Sequence, residues 1–117
     1  MKHKNEPDLK TLLKPFRVQI DALDDKIVAL LGKRFDIVRQ VADIKAKNDL
    51  PSYLSDRVVE VRERNAATGK KHGVDPDFMR MLYSLIIYQS CATEDMIKAD
   101  LKAKAKKSEA RKSVRKK

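Results

Sequence analysis

Between Arg17 and Lys45, the apolar residues Ile20, Leu23, Ile27, Leu30, Ile37, Val41 and Ile44 recur at helical spacing. These steps of three and four align them as one stripe along a helix. The slot between Leu30 and Ile37 belongs to Arg34, so a guanidinium interrupts the stripe. Pro15 suits a first helical turn, so the spacing predicts a helix that begins between Lys10 and Pro15. It should run to Ala46 or Lys47, a length of roughly 30 residues. Asn48-Asp49-Leu50-Pro51-Ser52 breaks it, with Pro51 barring continuation. A second helix is expected from about Ser55 to Lys71, with Leu54, Val58, Val61 and Asn65 on one face and Gly73 as a left-handed cap. Asp75-Pro76-Asp77 supplies an N-cap, a proline at the first position and an acid at the positive dipole end. A third helix therefore follows, ending where the lysine-rich tail begins. No alternating strand pattern and no repeat is present. The fold class is all-α, with one long N-terminal helix and two shorter ones. The expected organisation is a disordered lead-in over 1–10, a helical domain over 11–101 and a basic tail over 102–117.

Composition sharpens this picture. Charged residues make up 38% of the 117 and aromatics 5%, with no Trp, which is thin material for a compact monomeric core. Long helices that bury their stripes against a second chain would resolve this. The net charge of +10 is uneven: ten Lys/Arg against two acids over 98–117 give +8, leaving +2 elsewhere. The single cysteine, Cys91, cannot form an internal disulfide and fits a reducing compartment. The first ten residues lack an apolar stretch and no 18-residue apolar run occurs, so a cytoplasmic protein is expected. The tail raises a separate class, a helical protein that binds nucleic acid or an anionic surface through Lys/Arg. No aromatic interleaves those charges and no recognition motif accompanies them. A solubilising, disordered or fraying extension is the plainer expectation, and nucleic acid is not expected as a partner.

Candidate chemistry lies on the long helix and the third one. Arg34 and Lys45 are eleven residues apart, on one face and about 16 Å apart along the axis, with room for a small anion between their side chains. Arg17 is about 25 Å from Arg34, too far for both to hold one small ligand within a chain. An antiparallel second copy would bring its own Arg17 to that pair. On the third helix Ser90 and Glu94 share a face with Tyr83, Ile87 and Ile97. A carboxyl on so apolar a face is costly unless paired, and Lys45 and Arg34 are the natural partners.

The order Arg17, Arg34 and Lys45 on the first helix, Arg57 on the second and LIIYQSCATE on the third resembles the all-helical (AroQ-type) chorismate mutases. The resemblance covers roughly Leu12 to Ile97, and IDALDDKIVALLGKR is its most specific block. It implies an intertwined homodimer with two active sites. These would convert chorismate to prephenate, a step of aromatic amino-acid biosynthesis, by a pericyclic [3,3] shift without cofactor, metal or covalent intermediate. It further implies that Arg17 of the partner chain and Arg34 of the home chain bind the two substrate carboxylates. Bidentate guanidinium geometry suits that task. Lys45 would donate to the ether oxygen and a carboxylate, and Glu94 would face the same ether oxygen. Arg57 would add positive potential and Ser90 a polar contact. The family usually carries acids on the second helix, one of them against the ring hydroxyl; the matching positions here are Leu54 and Val58. Val58 is similar to the isochorismate–pyruvate lyase branch, which forms salicylate, whereas Glu94 is similar to fungal mutases. A dicarboxylate, chorismate or isochorismate, is the expected substrate.

Each of these residues has a plainer reading when taken alone. Arg34 would be a register device in a coiled coil, and Arg17 and Lys45 solvated charges at the ends of a helix. Arg57 would be half of a surface ion pair, and Glu94 an exposed acid like Asp95. Ser90 and Cys91 would be small packing residues, and Cys91 is kept in that class. His3 and His72 are assigned no catalytic role. Only the full constellation outweighs these readings.

Overall fold

A computed structural model describes residues 8–115, with side chains from 8 to 114. It contains three helices, α1 over Leu9–Lys47, α2 over Ser55–Lys71 and α3 over Pro76–Arg115. Most of the expected lead-in lies outside the described residues, but its last part is already ordered by Asp8. The Asp8 carboxylate accepts from the Lys10 amide at 3.3 Å and its carbonyl from the Leu12 amide at 3.0 Å. The helix therefore starts earlier than Pro15 suggested, and Pro15 lies inside it.

Both helix ends predicted from turn chemistry close by the same device. At the end of α1, the Leu50 amide reaches back to the Lys45 carbonyl at 2.8 Å while Asp49 takes a positive φ of 53°. At the end of α2, the Val74 amide bonds to the Gly69 carbonyl at 2.8 Å and the Gly73 amide to the Lys70 carbonyl at 3.2 Å. Gly73 has a φ of 76°. Both are Schellman closures, in which a left-handed residue lets the chain satisfy the last carbonyls. Asp is one of the few side chains that tolerate that region.

The third helix departs from expectation. It spans 40 residues, one more than α1, and runs through most of the basic tail. The physical reason is propensity: the segment after Leu101 is built largely of Lys and Ala, both good helix formers, with no Gly or Pro to stop it. The chain thus has two long helices and one short one, and no break falls at the expected boundary between 101 and 102.

The chain divides into two units, residues 1–35 and 36–117. In the first, α1 shows its apolar stripe to solvent, with Ile20, Leu23, Ile27 and Leu30 all exposed. In the second, α2 packs on α3. Val61, Ala66 and Gly69 of α2 are buried, as is Ala42 of α1. Gly69 allows the close approach, since a Cβ there would overlap the Cγ of Met79 and come within 3.1 Å of its sulfur. Arg80 clamps the same pair of helices. Its Nε donates to both Glu63 oxygens, at 3.2 and 2.9 Å, and its Nη1 to Asp77 at 2.7 Å. These bonds, the one to Glu63 foremost, raise the guanidinium pKa further above its usual range. Among the described residues no helix is long and apolar enough to cross a membrane.

Candidate active site

The turn after α1 builds the core of the site. Once the chain reverses at Asp49, the Ser52 carbonyl returns to the side chain of Lys45 and accepts from its Nζ at 2.9 Å. Lys98 braces the same turn through the Leu50 carbonyl at 3.4 Å. From α3, Glu94 presents both oxygens to the Lys45 ammonium, at 3.1 and 3.3 Å. The Glu94 side chain is only 7% exposed and that of Lys45 17%. The α3 face predicted from spacing is the inward one, with Tyr83, Ile87 and Ile97 half-buried and Ser90 and Glu94 buried.

A buried carboxylate is tolerated only when its charge and lone pairs are met, and Lys45 meets both. The arrangement is a water-poor ion pair whose cation is anchored by a backbone carbonyl. It offers one strong donor and one group able to accept or, when protonated, to donate.

The neighbouring positions complete the picture. The Ser90 hydroxyl donates to the Ile86 carbonyl one turn back, at 2.8 Å. The Cys91 thiol lies 3.8 Å from the Ser52 carbonyl, and burial, followed by the charge of Glu94, raises its pKa above the ordinary thiol value. A thiol so placed stays protonated and unreactive at neutral pH, in keeping with a packing role. Val58 is half-buried and Leu54, at the N-cap of α2, is exposed. Arg57 is exposed and pairs with Glu60 one turn on, the plainer of its two readings. Arg17 and Arg34 belong to the first unit, where Arg17 is exposed and Arg34 half-buried. The Ser52 carbonyl is a site group that sequence reasoning missed, because a backbone oxygen carries no residue signature. Among the described residues no cluster of His, Cys, Asp or Glu is arranged to hold a metal. A separate open groove of about 670 Å³ is lined by Arg62, Glu63 and Arg80 with Met81, Leu85 and Tyr88, and includes none of the expected site residues.

The site is thus a lysine–glutamate pair buried between the first and third helices of an all-α chain. The family model for chorismate mutase type II matches residues 16–95, and the chain belongs to that family. It is 32% identical to a 4-amino-4-deoxychorismate mutase of Streptomyces venezuelae over 73% of this chain and 82% of that protein. A protein of the same description from Streptomyces pristinaespiralis is 31% identical over 71% of this chain, which spans 64% of it. The bifunctional chorismate mutase/prephenate dehydratase of Escherichia coli is 33% identical over 69% of this chain, which spans only 21% of that protein.

Proposed function

We propose that this protein is a homodimeric chorismate mutase that acts in the cytoplasm, converting chorismate to prephenate without cofactor. The observation that carries the reading is the buried Lys45–Glu94 pair. In the rearrangement one C–O bond breaks while a C–C bond forms within the same molecule, and negative charge builds on the ether oxygen. The Lys45 ammonium, already aimed by Ser52, donates to that oxygen. Glu94 donates from the other side only as the acid, because an ionised carboxylate would repel the developing charge. Arg34 and the partner's Arg17 hold the two carboxylates and fix the reactive conformer, Arg57 adds positive potential after release from Glu60, and Ser90 supplies a polar contact. Such catalysis rests on orientation and on preorganised charge. The exposed stripe of α1 and the exposed Met81, Leu85 and Met96 of α3 support a second copy, since both helices leave apolar surface uncovered.

A second reading concerns the ring substituent. Leu54 and Val58 offer no acceptor to a ring hydroxyl, and two relatives bear the description 4-amino-4-deoxychorismate mutase. Apolar residues at these positions remove selection for the hydroxyl, and the description of the two relatives makes the amino counterpart the substrate to test beside it. The isochorismate–pyruvate lyase reaction is the third arm. Purified protein incubated separately with chorismate, 4-amino-4-deoxychorismate and isochorismate separates the three readings. Prephenate, its amino counterpart, and pyruvate with salicylate are measured side by side. Turnover of chorismate far below that of either other substrate would overturn the proposal.

A further inference from the structure

The sequence alone made the basic tail a solvated extension, but its helical conformation changes what its charges can do. Residues 102–115 carry seven Lys/Arg against the single acid Glu109, and residues 102–114 are exposed throughout. At 100° per residue the cations surround the axis, leaving no free arc wider than about 100°. That arc holds only Ala103, Ala110 and Val114. A helix bound to a lipid surface needs a broad face of large apolar side chains opposite its charges, which this one lacks. Lys102 and Lys106, and Lys107 and Arg111, each repel one turn apart, so the segment is arranged for an external polyanion rather than for its own neighbours.

We infer that the exposed C-terminal part of α3 is a docking surface for the phosphate backbone of duplex nucleic acid, bound without regard to sequence. Cations on all sides suit a helix lying in a groove, where phosphates line both walls. The major groove, about 12 Å wide, admits one α-helix. Residues 102–115 extend for about 21 Å, alongside roughly twelve phosphate charges at one per ~1.7 Å. The segment has no Asn or Gln to read adenine and no aromatic side chain to stack on bases, and its cations ring the axis rather than forming one base-facing edge, hence the indifference to sequence. This inference is independent of the mutase reading.

The test uses the 117-residue chain and fluorescein-labelled duplexes of about 20 base pairs in two unrelated sequences, followed by anisotropy. Both should bind alike at 50 mM salt, and about six phosphate contacts would weaken binding roughly a thousandfold by 200 mM. Replacing Lys102, Lys104, Lys106 and Lys107 together by Gln should lower the slope of log affinity on log salt by about 3.6 and leave chorismate turnover unchanged. Replacing Arg111, Lys112 and Arg115 by Gln should act in the same direction, which guards against a folding defect in one variant. Circular dichroism checks that Gln preserves the helix. No binding at 50 mM salt, or equal binding by wild type and both variants, overturns the inference. So does binding to phosphatidylserine vesicles with none to either duplex.

Discussion

Replacing Lys45 by Met removes a cation that touches three oxygens, two of Glu94 and one of Ser52. Two separable losses follow. In catalysis, a preorganised donor at developing charge contributes about 3 kcal/mol, so kcat should fall by a hundredfold or more. In stability, the variant leaves Glu94 buried without a partner, and breaking a buried pair costs about 3–5 kcal/mol. Urea denaturation measures the second loss, and prephenate formation measures the first. The double variant Lys45→Met with Glu94→Gln should regain most of the stability while its rate stays low. Near-normal turnover of Lys45→Met would refute the catalytic role. A stability loss unrelieved by Glu94→Gln would refute the account of the pair.

Three further outcomes are expected. Arg17→Ala and Arg34→Ala should each be nearly inactive, and mixing them with subunit exchange should restore about one quarter of the wild-type sites, since one site of each heterodimer inherits both arginines; no rescue despite proven exchange would put both arginines in one chain's site. Glu94→Ala should lower kcat by about a hundredfold, because it removes the group set beside Lys45, whereas Glu94→Gln keeps a donor there and should retain activity; near-normal turnover of Glu94→Ala would place Glu94 outside the site. Asp49→Gly should stabilise the fold by up to about 1 kcal/mol, because glycine enters the left-handed region without a Cβ penalty; thermal melts that show destabilisation would mean that the Asp49 side chain matters more than its φ.

Local rules made the helices legible in the sequence. Periodicity marked the inward face of α3, Gly73 and the Asp75-Pro76 pair marked helix ends, and Pro51 marked the break, because each acts through the backbone of its own neighbourhood. The same rules misjudged the start of α1, where capping by Asp8 outweighed the preference of Pro15 for a first turn. They also end α3 too soon, because the helix propensity of Lys and Ala outweighs the repulsion among the tail's cations. The residues of the Lys45–Glu94 pair were identifiable as a costly carboxyl and an available cation, 49 positions apart. Tertiary structure decided how they meet. The Ser52 carbonyl reaches Lys45 only because the chain reverses at Asp49, and Glu94 is buried only because α3 packs there. Arg57 shows the converse. Its partner Glu60 lies three residues on along α2, so that pair is a local contact legible from helical spacing alone. A side chain's type fixes which interactions it can make; the environment that selects among them is assembled from residues distant in the chain.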